Sequence, residues 1–415
     1  MNAFHSDAAV ARMPGATAGV AVADRGRPRV LFLIRSLARG GAERQLVALA
    51  KALRRSGWDV SVACFYSGGA FQRELVLADV PVIDLRKRGR WDVAGFLWRL
   101  RRTFRERNPD IVHGYLTVGN LLSLLAKLAN RRTRVLWGVR SSFIDRTRYD
   151  WMSRLTFWLT CRLARLADGI IVNSWAGAAH HAALGYPRTR ISVVPNGIDT
   201  RRFRFDAEGR ARVRGEWGIP DDALLVGLVG RLDPMKDHPT FLKAATILAT
   251  HGSRWRFVCV GGGGESEYAR TLRSLAGDPS LAGRLIWAGP RDDMPAVYSA
   301  FDLAASTSYG EGFPNTVAEA MACGRPCVVT DVGDSARIVG PCGAVVEARN
   351  PAAFAEGLAR TARLLASRDA GSGLRAMARA RIEETFAVEA LLRNSEAAFR
   401  TVCDTRGRTR GAPVS

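Results

Sequence analysis

Two glutamates eight positions apart, Glu311 and Glu319, stand in the stretch YGEGFPNTVAEAMACG, Tyr309 to Gly324. Glu311 lies in a Gly/Pro turn, where a solvated acid is ordinary. Glu319 lies in a helical run among Val317, Ala318, Ala320, Met321 and Ala322, and a buried carboxylate without partners is expensive. Something must hydrogen-bond it. Upstream, VGRLDPMKD puts Arg231 directly after an apolar run and Lys236 five residues later, with Pro234 in the turn. Two cations beside a helix start suit a diphosphate, Arg as a bidentate donor and Lys as a point charge; solvated surface charge is the competing reading. Gly40-Gly41, followed by a helical pattern, would offer bare backbone N–H groups to a phosphate, or would simply turn the chain. With Pro314 in the first helical turn and Gly310 and Gly312 permitting close backbone approach, Glu319 falls about two turns inside the helix. At 1.5 Å per residue the two carboxylates are then ~8–10 Å apart.

These residues need elements to hold them. RPRVLFLIRSLARGGAERQLVALAKALRRSGWDVSVACF reads as strand, loop, helix and strand: Val30 to Ile34 is apolar and branched, Leu46, Leu49, Ala50 and Leu53 recur at helix spacing before Gly57, and Val60 to Phe65 is the next strand. Short apolar strands follow at Pro81 to Leu85, Ile111-Val112, Val135 to Val139 and Ile170 to Asn173. After the charged DTRRFRFDAEGRARVRGEWGIPDD a second series begins, LLVGLVGRL, RFVCVGGGG, RLIWAG, DLAASTS, PCVVTD and GAVVE. Strands of this kind belong to parallel sheets covered by helices on both faces. The architecture is α/β, in two halves joined near residue 200. In open parallel sheets ligands sit at the carboxyl ends of the strands, which is where Gly40-Gly41, Arg231 and Glu311 fall. A spacing of ~8–10 Å between two acids, with two cations near, fits the two ends of a nucleotide sugar.

A chain of 415 residues exceeds one hydrophobic core. Its seven cysteines are scattered without a Cys-x-x-Cys pair, which argues against a disulfide framework or zinc site and fits a reducing compartment. No run of about 20 apolar residues is present for a spanning helix; the longest candidate, Ile111 to Ala126, is interrupted by His113, Asn120 and two glycines. The net charge of +22 is lopsided: residues 1–200 carry 32 Lys and Arg against 14 Asp and Glu, residues 201–415 carry 29 against 25. The basic half calls for an anionic partner, nucleic acid or acidic lipid.

Taken together, EGFPNTVAE with its continuation AMACGRPCVVTD, VGRLDPMKD, VVPNGIDTRRF and GGAERQL resemble the family 4 glycosyltransferases of GT-B fold, from about Arg29 to about Phe399. The resemblance implies two Rossmann-like, doubly wound domains facing across a cleft, the acceptor mainly on the first and the nucleotide sugar mainly on the second. The expected boundaries are a disordered leader at 1–26, an acceptor domain at 27–200, a donor domain at 201–385, a helix crossing back at 386–402 and a disordered tail at 403–415. By the same resemblance Glu319 would bind ribose hydroxyls and Glu311 the transferred sugar, with Phe313, Pro314, Asn315 and Thr316 presenting backbone groups. Arg231 and Lys236 would neutralise the diphosphate, Gly40 and Gly41 would approach it from the other domain, and Gly289 to Asp292, including Arg291, would line the base. Such enzymes transfer sugar with retention and generally need no metal or other cofactor, in keeping with the lack of a clustered Asp-x-Asp or His/Cys ligand set. One departure stands out: relatives carry His-x-His where this chain has His113 and Tyr115. His113 is therefore either catalytic or a core histidine. His180-His181 and Asn173-Ser174 follow another strand toward the acceptor side.

The expected activity is retaining transfer from a UDP- or GDP-sugar to a glycan or lipid-linked glycan, in cell-surface polysaccharide or glycolipid synthesis, in the cytoplasm and peripherally on the inner face of the membrane. Residues 86–107 hold nine Lys and Arg among Trp91, Phe96, Leu97, Trp98, Leu100 and Phe104, and 146–165 repeat the theme with Trp151, Phe157 and Trp158. Both suit interfacial helices with Arg on one side and aromatics on the other, or helices packed on the sheet by their apolar face. A nucleotide-sugar epimerase of the same architecture is the nearest enzymatic rival. A basic nucleic-acid binder leaves the glutamate pair unexplained and shows no binding module, so no nucleic-acid partner is expected; a glycoside hydrolase would not need the Arg/Lys pair.

Overall fold

The computed structural model describes residues 28–89, 91–140, 151–263 and 266–404. The expected leader, residues 146–150 of the second basic segment and residues 405–415 of the expected tail lie outside the described residues. Two wholly parallel sheets form the framework. The first holds β1 (Arg29–Ile34), β2 (Asp59–Cys64), β3 (Val82–Asp84), β4 (Ile111–Tyr115), β5 (Arg134–Val139), β6 (Gly169–Val172) and β7 (Ile191–Val193) in the order β3-β2-β1-β4-β5-β6-β7. The second holds β8 (Leu224–Val229), β9 (Trp255–Val260), β10 (Leu285–Gly289), β11 (Leu303–Ser306), β12 (Cys327–Thr330) and β13 (Gly343–Val346) in the order β10-β9-β8-β11-β12-β13. The α/β class and the two Rossmann-like sheets agree with the sequence. β7 was not anticipated: it is three half-buried residues at the sheet edge, too short for an apolar run to mark it.

Each sheet reverses its strand order once, between β1 and β4 and between β8 and β11. Side loops diverge at such a point and leave a crevice beyond the carboxyl ends of the strands. The segments that leave those ends are Gly40-Gly41 after β1, Tyr115 to Leu116 after β4, Gly230 to Lys236 after β8 and Thr307 to Glu311 after β11. Each sheet is filled on both faces, by Leu46, Leu49 and Leu53 of helix Gly41–Arg55 on one face of the first and by Phe96, Leu100 and Phe104 of helix Ala94–Arg107 on the other. That helix begins at Ala94, so 86–89 and 91–93 are not helical, and the aromatics of the segment divide: Phe96 and Phe104 are buried while Trp91, ahead of the helix, and Trp98, on it, are 89% and 61% exposed. The expected separation of Arg from aromatics is corrected accordingly, since the phenylalanines pack and the tryptophans share the solvent face with arginine.

The chain crosses between the domains twice, side by side. Ile198 donates to the Phe386 carbonyl at 2.8 Å and accepts from the Val388 N–H at 3.1 Å, and Ile198 and Ala387 form a parallel bridge. Helix Val388–Asp404 then lays Leu391, Ala398, Phe399 and Val402 into the core of the first domain. Phe399 meets Trp58 edge-on at 5.5 Å, and Glu396 accepts from Trp58 Nε1 at 2.9 Å and Ser56 Oγ at 2.7 Å. The helix runs to Asp404, so residues 403 and 404 belong to it and not to a tail.

Candidate active site

Glu319 is the fifth residue of helix Asn315–Ala322, one turn inside it and not two, because Pro314 is the residue before the helix and not within its first turn. It is 5% exposed. Tyr298 donates its hydroxyl to Oε2 at 2.8 Å, and Arg44 donates Nη1 to Oε1 at 3.2 Å from helix Gly41–Arg55 of the other domain. Burial raises the proton affinity of Glu319, and the Arg44 charge and the Tyr298 hydrogen bond oppose that rise. Tyr298, wholly buried beside the carboxylate, is pushed well above the usual phenol range, mainly by burial. The helix ends in a paired turn: Gly324, at φ +70°, donates to the Met321 carbonyl at 2.8 Å and Arg325 to the Ala320 carbonyl at 3.0 Å, the Schellman arrangement that glycine permits.

Glu311 accepts from Lys236 in a short ion pair and from Ser308 Oγ at 2.8 Å. Lys236 closes the one-turn helix Pro234–Lys236, opened by Asp233 accepting from the Met235 N–H at 2.9 Å. Thr307 donates to the Lys236 carbonyl at 2.9 Å and Tyr309 to that of Met235 at 3.1 Å, so the loops after β8 and β11 are laced together. Behind them Gly333, at φ +60°, has room for no side chain: a Cβ would stand 2.4 Å from the Glu311 carbonyl oxygen. Arg231 extends into solvent, its side chain 79% exposed, with Asp233 at 3.7 Å. Arg231, Lys236 and Glu311 therefore stand on the segments that leave the carboxyl ends of β8 and β11, and Glu319 on the helix that follows β11.

Facing them is the start of helix Gly41–Arg55. A Cβ on Gly41 would lie 3.3 Å from Asn315 Nδ2, so the glycine abuts the facing domain. Gln45 exchanges two hydrogen bonds with Gly197, at 3.0 and 2.8 Å, tying this helix to the crossing. A polar chain runs over the same edge: Arg140 donates to Tyr115 Oη at 2.6 Å and to Asn196 Oδ1 at 3.1 Å, and Asn196 donates to Asn315 Oδ1 at 2.8 Å. Tyr115 is followed by Leu116 at φ +62°, a conformation that costs a bulky residue on the order of 1–3 kcal/mol and collects at functional sites. On the far side Asp334 accepts from the Trp175 and Ala176 N–H groups at 2.9 and 3.1 Å, at the start of helix Trp175–Ala183. Arg39 pairs with Asp292 at 2.8 Å. The two domains thus touch through residues of both.

Some expected site residues are placed elsewhere. His113 has no exposed surface; its ring lies against Phe32, Tyr115 and Phe399, and neither ring nitrogen has a hydrogen-bond partner among the described residues. Burial drives its proton affinity well down, so the ring is neutral. The catalytic reading of His113 is corrected to a core histidine. Arg291 is committed to Asp293 at 2.8 Å and Glu216 at 2.9 Å, which removes it as an unpaired cation for a ligand. Phe313 buries its ring against Phe386 at 5.4 Å, leaving only its backbone to the crevice. Asn315 and Thr316 open the helix, half-buried at the rim. His181 is buried and bonded to its own helix, Nδ1 lying 2.9 Å from the Gly177 carbonyl. Arg44, Arg140, Asn196, Tyr298 and Asp334 were not foreseen. Arg44 and Asn196 carried a signal, being within GGAERQL and VVPNGIDTRRF; the others are joined to the site by pairings that no local spacing encodes. Among the described residues no group of three His, Cys, Asp or Glu is placed to hold a metal ion.

Residues 39–202 match the profile of Glycosyltransferase Family 4, and residues 223–363 that of Glycosyl transferases group 1. The chain belongs to the family 4 glycosyltransferases, with the GT-B architecture. EpsF of Bacillus subtilis is 26% identical over 312 residues, 73% of this chain and 79% of that protein. The D-inositol 3-phosphate glycosyltransferase of Acidothermus cellulolyticus is 36% identical over 205 residues, 47% of this chain and 45% of that protein; the chain spans under half the length of that relative. Among solved structures, Anabaena HepE in complex with UDP superposes with a TM-score of 0.78 at 23% identity, covering 90% of this chain and all of that one. Sucrose-phosphate synthase from Thermosynechococcus elongatus gives 0.74 at 19%, covering 91% and 99%.

Proposed function

We propose that this chain transfers a sugar, with retention, from a UDP- or GDP-sugar to a glycan or lipid-linked glycan acceptor in the making of cell-surface polysaccharide or glycolipid. The observation that carries the reading is the pairing of two acids with two cations on the segments that follow β8 and β11: Glu319 held by Tyr298 and Arg44, Glu311 held by Lys236, and Arg231 on the segment that carries Lys236. Glu319 takes the ribose hydroxyls and keeps Tyr298, so the ribose competes with Arg44. Glu311 orients the transferred sugar. The diphosphate lies between, against Lys236, Arg231 and the backbone of Gly40-Gly41. As the bond from sugar to phosphate breaks, negative charge grows on the diphosphate, and cations already fixed at that point stabilise it without reorganising. These protein cations do the work without a metal. Contacts such as Arg39 with Asp292 close the crevice and limit hydrolysis.

The acceptor side is placed at an anionic membrane surface on the cytoplasmic side. Helices Ala94–Arg107 and Trp151–Leu163 share one packed layer of the first domain, and they expose Trp98 and Trp158 at 61% and 53% with Arg102 and Arg162 against the rings at 5.6 and 5.4 Å. Exposed tryptophan beside arginine suits a headgroup region. No helix among the described residues is long and apolar enough to cross a membrane. The test of the donor reading is a thermal-shift and hydrolysis screen across UDP-, GDP- and ADP-sugars. Stabilisation by one nucleotide class with slow hydrolysis is expected; conversion of a UDP-sugar to its epimer without acceptor would overturn transfer.

A further inference from the structure

At the end of helix Asn315–Ala322 away from the crevice, a cavity of about 350 Å³ opens among Phe205, Arg210, Arg325, Arg375 and Arg379. None of the described residues lining it is acidic. Two of the arginines are already employed. Arg210 pairs with Asp302 at 2.8 Å, whose other oxygen is taken by Arg214 at 3.1 Å, and Arg379 donates to the Ala322 carbonyl at 2.7 Å and pairs with Glu383 at 2.6 Å. The other two are not neutralised. Arg325 is 5% exposed; it gives Nε to the Cys323 carbonyl at 3.1 Å and Nη1 to the Phe301 carbonyl at 3.0 Å, stacks on Phe205 at 4.8 Å, and makes no hydrogen bond through Nη2 among the described residues. Arg375 is half-buried, and its enclosed Nε has no hydrogen-bond partner among the described residues.

A buried guanidinium that no acid pairs directly bears a desolvation penalty, only partly offset by the charge of Asp302, and the half-buried Arg375 adds a second positive charge beside it. Burial, with Arg375 and Arg210 adding to it, brings Arg325 down to about 10. Carbonyl oxygens satisfy N–H groups but leave the net charge uncompensated. The Arg325 Nη2 left over in a concave space lined by four arginines, with no acid among the described lining residues, matches the oxygens of a tetrahedral anion. The neighbouring surface continues the charge through Arg201, Arg202 and Arg204, broken by Asp206 and Glu208.

We propose that this cavity binds a phosphate group, carried by a soluble phosphomonoester or by a phospholipid headgroup, as a second anion site apart from the donor crevice. The test is titration calorimetry of the full chain with inorganic phosphate at constant ionic strength, beside flotation with phosphatidylcholine vesicles with and without phosphatidic acid. Arg375→Ala is the main variant because Arg375 is half-exposed and makes no ion pair. Arg375→Gln is the second, should the alanine lower the melting temperature. Saturable phosphate binding weakened at least tenfold in an Arg375 variant, and unchanged in Lys236→Ala, establishes the site with a soluble ligand. Flotation on phosphatidic acid that falls at least threefold in an Arg375 variant establishes it with a headgroup. Phosphate binding lost in Lys236→Ala, or neither readout sensitive to Arg375, overturns the proposal.

Discussion

Tyr298 and Arg44 are both aimed at Glu319 and oppose the rise in its proton affinity that burial causes, and the two hold it differently. Tyr298 belongs to the same domain and is buried; Arg44 comes from across the crevice and is partly in water. Its apolar neighbours announced that Glu319 needs partners, but their identity was not legible, because they stand 21 and 275 positions away. Glu319→Ala should weaken UDP-sugar or GDP-sugar binding at least tenfold by calorimetry, whereas Glu311→Ala should lower kcat at least a hundredfold with a smaller change in affinity; unchanged kinetics in both would remove the site assignment. Arg291→Ala should leave donor affinity within twofold, since its guanidinium serves Asp293 and Glu216. His238 makes a prediction about pH. It is fully buried with both ring nitrogens unpartnered, and burial, then the Lys236 charge, brings it down to about 4. Its folded pKa is below its unfolded value, so the unfolded chain takes up the proton first and stability falls as pH drops from about 6.5 toward 4. Between pH 7 and 5 this one group costs about 2 kcal/mol, and buried His113 and His181 act in the same direction. Urea midpoints at the two pH values measure it, and His238→Phe should flatten the slope.

At the scale of elements, legibility followed burial on both faces. Strands such as RVLFLI and LLVGLV announce themselves because their inner positions are all buried. β7 does not, with half-buried residues at a sheet edge, and helix Ala94–Arg107 is shorter than its charge pattern suggested. The segments that leave β8 and β11 could be assigned to the crevice from sequence, because the carboxyl ends of strands are readable; the lacing between them could not. Helix Asn315–Ala322 depends on its terminal glycine. Gly324→Ala places a Cβ at φ +70° and should destabilise the protein by about 1–2 kcal/mol, read as a lower urea midpoint at unchanged m-value.

At the scale of the molecule, charge and apolar exposure fall on the same layer of the first domain. Flotation with acidic and neutral vesicles should separate the wild type from a Trp98→Ala, Trp158→Ala double variant, with at least a fivefold loss on acidic vesicles; equal binding to neutral vesicles, or none to either, would sink an electrostatic membrane surface. The helix Val388–Asp404 has a consequence for how the protein is made. Its Leu391, Ala398, Phe399 and Val402 complete a core whose other buried members lie between Val30 and Val194. During synthesis the first half emerges before these side chains do, so Trp58 and the core beside it lack these partners until residues 388–404 have left the ribosome. The nascent first half therefore lacks part of its core until then, and a chain cut short near residue 385 would lose these side chains together with the tie at Ile198.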